Sequence, residues 1–134
     1  MLILKKDFLE QIVKQAKLEF PNEACGILAG KADKVEKVYE MTNVEKSPDN
    51  FFMDPTEQLK VSKEIRSLGL EMLGIYHSHV ASLAYPSSRD VEMAFYPQVS
   101  YIILSLKDKD SPSIKSFKIR EGKISEEEVQ IVDS

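Results

Sequence analysis

Cysteine occurs once in this chain, at position 25, so no disulfide can form within it and a cytoplasmic protein is expected. Long apolar runs are missing as well. Tyr101-Ile102-Ile103-Leu104 is among the longest, far short of the ~20 residues that a membrane helix needs. The opening segment, Met1-Leu2-Ile3-Leu4-Lys5-Lys6, turns charged after four residues, which argues against a secretory signal. Basic residues are not in excess: 18 Lys and Arg stand against 22 Asp and Glu, a net charge of −4 that advertises no nucleic-acid-binding face. Nor is there a repeat, a low-complexity tract or a Gly/Ser-rich linker. Residues 1–134 are therefore expected to form a single domain around one core.

What is present fits such a domain, since 43% apolar and 30% charged residues are ordinary globular proportions. Composition leaves the oligomeric state open. Phe8, Leu9, Ile12, Val13, Ala16 and Phe20 recur at helical spacings and predict a helix over 6–20, stopped by Pro21-Asn22. Strands are expected at Cys25–Ala29 and Lys34–Met41, paired around Gly30-Lys31-Ala32-Asp33. Asp54-Pro55 opens a second helix that runs to about Leu68, with Val61, Ile65 and Leu68 facing inward and Gly69 ending it. A short buried strand follows at Met72–His77, then a third helix at Ser87–Phe95. Strands at Ser100–Leu106, Ser113–Arg120 and Lys123–Val132 complete an α/β domain.

The chemistry concentrates between His77 and Asp90. Residues two apart on a strand share a face, so His77 and His79 can aim two imidazoles at one point. Neutral imidazoles and a carboxylate suit zinc, and three protein ligands leave the open position of a catalytic site. These are the only histidines, and chance alone would give this spacing roughly 1–2% of the time. Taken alone, the pair also fits a strand end with one histidine packed and the other solvated. Ser87-x-x-Asp90 after Pro86 has a rival reading too, as a helix-capping arrangement. The two readings are compatible if Asp90 faces the histidines from the first helical turn.

The whole pattern, His77-x-His79, ten intervening residues and Asp90, with Pro86-Ser87 before it and Glu23 in Glu23-Ala24-Cys25-Gly26 upstream, resembles the JAMM (MPN+) metalloprotease family. The resemblance implies that His77, His79 and Asp90 hold zinc with water as the fourth ligand. It implies Glu23 as general base, later passing the proton to the leaving amine, and Ser87 as a donor to the oxyanion. It implies a mixed, curved sheet flanked by helices, the MPN/JAB fold, similar to cytidine deaminases. Val80 stands where family members often carry proline, so the following loop is expected to differ in shape. The segment from His79 to Asp90 is most similar to a prokaryotic subgroup acting on ubiquitin-like sulfur-carrier proteins. A carrier tail ending in Gly-Gly is then the expected substrate, added as a strand beside a sheet edge near His77.

Rival classes each miss something. A metal-free MPN-type scaffold or protein-interaction module would lack the ligand positions, and all are present. A zinc deaminase needs Pro-Cys-x-x-Cys, which one cysteine cannot supply. A thiol hydrolase built on Cys25 needs a histidine free of metal. Cys25 reads instead as a small buried strand residue.

Overall fold

A computed structural model describes residues 1–134. In chain order the elements are β1 (Leu2–Lys5), α1 (Lys6–Glu19), β2 (Cys25–Lys31), β3 (Lys34–Met41), α2 (Pro55–Ser67), β4 (Glu71–His79), α3 (Ser88–Glu92), β5 (Ser100–Ser105), β6 (Ser113–Arg120), β7 (Lys123–Glu127) and β8 (Val129–Val132). No helix is long and apolar enough to cross a membrane.

All eight strands join one mixed sheet in the order β7-β6-β5-β4-β2-β3-β1-β8. β2 runs antiparallel to both β3 and β4, whereas β4 and β5 are parallel. β7 and β8 stand at opposite ends of this order, yet only Glu128 separates them in sequence. A one-residue link spans roughly 7 Å between flanking Cα atoms, so the sheet must curl until its ends nearly meet.

Period-two alternation distributes the core over both faces. Ile102 and Leu104 of β5 pack with Ile12 and Ala16 of α1, while Tyr101 and Ile103 pack with Ile65 of α2 and with Ile27 and Ile75. Every residue of β5 is buried, as expected for a strand covered on both sides. Truncating a fully buried member such as Ile103 to Ala would cost about 2–5 kcal/mol. Gly26 lies opposite Tyr76 in the β2–β4 ladder, and a Cβ there would overlap the Tyr76 ring. Glycine is thus required for the ring to cross β2 and reach Gln15, which accepts the Tyr76 hydroxyl hydrogen bond at 2.5 Å.

Several sequence expectations need correction. β1 was not foreseen, because only Leu2 and Leu4 alternate inward over its four residues. The third helix ends at Glu92 rather than Phe95: the Tyr96 N–H donates to the Tyr101 hydroxyl at 3.0 Å, drawing the chain out of the helix. The last expected strand breaks at Glu128, its halves pairing at opposite ends of the sheet. Leu68 caps α2 and is half exposed instead of facing inward. Gly30 sits in β2, and the hairpin turns on Ala32 and Asp33, whose φ values of 50° and 66° match a two-residue primed turn. Finally, β4 has no free edge near His77, since it is paired to β2 on one side and to β5 on the other.

Candidate metal centre

His77 and His79 end β4 on one face of the sheet, each nearly inaccessible at 3% and 4% exposure. Beyond them the chain folds back at once. The Leu106 N–H donates to the His79 carbonyl at 2.9 Å, and the Ser105 hydroxyl donates to the Ser82 carbonyl at 2.6 Å. This pinned loop delivers Pro86-Ser87 and the start of α3 to the histidines. Ser87 is the N-cap: its Oγ accepts from the Asp90 N–H at 3.1 Å, and Asp90 Oδ2 accepts from the Ser87 N–H at 2.9 Å.

The same Oδ2 lies 3.1 Å from His77 Nε2 and 3.0 Å from His79 Nε2, and the two Nε2 atoms are 3.1 Å apart. The Leu83 carbonyl lies 2.8 Å from His79 Nδ1. A carbonyl only accepts, so Nδ1 carries the proton and Nε2 presents its lone pair to the triangle. Lone-pair-bearing atoms this close must share a proton or a cation. Tetrahedral ligands on zinc, at bond lengths of about 2.0–2.2 Å, stand about 3.3 Å apart, close to what these three atoms adopt. The donor set therefore fits a metal.

The electrostatics agree with a cation-seeking site. Burial opposes ionisation of Asp90, but a proton shared with the imidazoles of His77 and His79, together with the hydrogen bond from the Ser87 N–H, holds its carboxyl well below the usual range. Burial also opposes charge on His79, yet Asp90, the Leu83 carbonyl and Glu23 together hold it above the ordinary histidine value. For fully buried His77, desolvation wins and the imidazole is pushed down. Phe51 stacks on its ring at 4.6 Å, and beyond Phe51 an apolar cavity of about 270 Å³ opens toward Ile75, Phe95 and Tyr101.

Glu23 precedes β2, outside the regular ladder. The Ser78 N–H nevertheless donates to the Ala24 carbonyl at 3.0 Å, and the Ala24 N–H donates to Ser78 Oγ at 2.8 Å. This continues the Cys25–His77 register to place Glu23 opposite His79, on the same face. Glu23 is 3% exposed and its Oε1 makes no hydrogen bond. Burial pushes its carboxyl up to about 8, with His79 pulling down and Asp90 pushing up.

The structure thus brings His77, His79 and Asp90 together at one point, with Ser87 capping the helix that carries Asp90 and Glu23 opposite His79. Cys25 lies on the same face, fully buried, its thiol pushed up to about 12 chiefly by burial. Sequence reading missed Ser78, Phe51, Asn43 and the Leu83 carbonyl. It also missed the ion pair between Arg89 and Glu45, 2.8 Å apart, which ties α3 to the loop after β3. These contributions are made by backbone atoms and tertiary contacts, which leave no signature in residue spacing.

The family described as prokaryotic homologs of the JAB domain matches residues 5–120. A CysO-cysteine peptidase from Mycobacterium tuberculosis is 37% identical, covering 99% of this chain and 92% of its own. A desampylase from Pyrococcus furiosus is also 37% identical, over 97% of this chain and 90% of its own. Among solved structures, a protein from Desulfitobacterium hafniense superposes with a TM-score of 0.91 at 42% identity, covering 100% of this chain and 94% of its own.

Proposed function

This chain belongs to the family of prokaryotic homologs of the JAB domain and is a JAMM-type hydrolase, and from that premise we propose a zinc peptidase that cuts after the C-terminal Gly-Gly of a ubiquitin-like or sulfur-carrier protein. The observation that carries the proposal is the triangle of His77 Nε2, His79 Nε2 and Asp90 Oδ2, with Glu23 across the ladder from His79. The substrate side rests on relatives whose names specify a cysteine conjugate of CysO and the removal of a conjugated modifier.

His77, His79 and Asp90 would hold the zinc. When bound, it supplies Lewis acidity toward a water and the scissile carbonyl. Glu23 takes the proton of the attacking water and delivers it to the leaving amine. A carboxylate surrounded by protein is a stronger base than one in water, which suits this transfer. The Ser87 hydroxyl uses a lone pair for the Asp90 N–H, so its proton remains available to the oxyanion of the tetrahedral intermediate. A thiol mechanism is disfavoured, because Cys25 at about 12 is protonated at neutral pH. A metal-free scaffold is disfavoured because the ligand set is complete and mutually oriented. The single, buried cysteine favours a cytoplasmic setting.

The test is mass spectrometry of a ubiquitin-like carrier ending in Gly-Gly-Cys, incubated with zinc-loaded enzyme. Loss of the terminal cysteine, abolished by a chelator and restored by zinc, is expected. An intact carrier, or chelator-resistant cleavage, refutes the proposal.

A further inference from the structure

We propose that Asn43 is the positioning residue for Glu23, an assignment that rests on the role of Glu23 proposed above. Glu23 needs an external clamp, because it lies before β2 and its own backbone takes no part in the regular ladder. Two contacts provide one, both from the loop that follows β3. The Glu23 N–H donates to the Ser47 carbonyl at 2.9 Å, and the Glu23 carbonyl accepts from Asn43 Nδ2 at 3.0 Å.

Asn43 is 6% exposed and uses its whole hydrogen-bonding capacity. Nδ2 donates to the carbonyls of Glu23 and Asn50, each at 3.0 Å. Oδ1 accepts from the N–H groups of Glu45 at 3.1 Å and Phe52 at 3.0 Å. Two backbone carbonyls on one side and two N–H groups on the other fix the orientation of the amide. Aspartate lacks the donors, serine cannot reach four partners, and glutamine is a methylene too long. Only asparagine completes this junction.

The junction has a consequence at the site. Through Glu23 it sets the backbone from which the base projects, opposite His79. The second arm holds Phe52, and the adjacent Phe51 ring covers His77. Displacing a catalytic group by about 1 Å can cost about 10²-fold in rate. Asn43 touches neither the ligand triangle nor Ser87, so its loss should leave metal binding alone.

The experiment is a double-mutant cycle on zinc-loaded protein, with cleavage of the Gly-Gly-Cys carrier as the assay. Asn43→Ala and Asn43→Asp are each made in the wild type and in Glu23→Gln. Asn43→Asp keeps both acceptor bonds, to the N–H groups of Glu45 and Phe52, and gives up the donor bonds to the Glu23 and Asn50 carbonyls. In the wild type, kcat should fall about tenfold or more, with KM and zinc content within about twofold. In Glu23→Gln the same changes should cost less than about twofold, since no base remains to be misplaced. Equal losses in both backgrounds, zinc loss in step with activity, or unfolding of both variants would each overturn the positioning role. If Glu23→Gln alone keeps full activity, the base assignment fails instead, and the two failures are distinguishable.

Discussion

Ser87 and Asp90 close a reciprocal capping box, and the oxygen of Asp90 that completes it also completes the ligand triangle. One carboxylate thereby starts α3 and aims itself. The cap reading of Ser87-x-x-Asp90 holds, and the same Asp90 oxygen faces both histidines, as the proposed zinc-ligand role requires.

This double duty gives the first prediction. Asp90→Asn can still accept from the Ser87 N–H, so α3 should form, but the negative charge facing the imidazoles is gone. Zinc affinity should fall by more than the about 10–100-fold that loss of an outer-sphere partner costs. Competition with a chromogenic chelator measures it, alongside circular dichroism for the helix. Unchanged affinity would remove Asp90 from the ligand set.

Ser87 separates stability from catalysis. Ser87→Ala removes the acceptor for the Asp90 N–H, a cap loss of about 1 kcal/mol. It also removes the proposed oxyanion donor, which should lower kcat by about 10²-fold or more. Thermal melts and steady-state kinetics read the two effects independently. A kcat that drops no more than the small stability change implies would leave Ser87 as a cap alone.

Glu23 gives a pH dependence with a definite sign. Burial raises its carboxyl from 4.5 to about 8 in the folded, metal-free protein. Below about 4.5 both folded and unfolded chains carry the proton, and the stabilising contribution is fully present. Between about 4.5 and about 8 only the folded chain keeps it, so stability falls as pH rises. Glu23→Gln has no such proton. Its melting temperature should therefore gain on the metal-free wild type from pH about 5 to about 8.5, with the coupling of Glu23 to His79 included in that difference. A constant difference across that range would show that Glu23 ionises normally.

Much of the fold could be read from the chain because its signals are local. The apolar spacing of Ile12 and Ala16 and the Asp54-Pro55 start reappear as helices with matching burial or capping. β1 and the break at Glu128 could not be read, since each is decided by partners far away in sequence: Leu2 to Lys5 pairs with Val129 to Val132. The site divides the same way. His77, His79, Ser87 and Asp90 stand within one short segment, whereas Glu23 was reached only through the family pattern. Asn43 was not reached at all, as a lone Asn between Thr42 and Val44 carries no periodicity. Its partners are main-chain groups that any sequence supplies.

The substrate prediction follows from what surrounds the triangle. β4 is paired on both sides, so a bound tail cannot extend the sheet at His77 and must cross the strand end instead. It would lie between the loop that carries Asn43 and Phe51 and the start of α3, two walls already joined by Glu45 and Arg89. Glycines suit such a passage because they add no side-chain bulk and accept unusual backbone angles. Replacing either glycine of the carrier tail with valine should therefore slow cleavage by about 10²-fold or more, the scale of a misplaced scissile bond. Changing the residue released, from cysteine to alanine or serine, should alter the rate by less than about tenfold, because specificity lies on the carrier side. Time courses by mass spectrometry on purified carrier variants decide between the two sides. Rates that follow the released residue and ignore the glycines would overturn the carrier assignment and leave a zinc peptidase of different specificity.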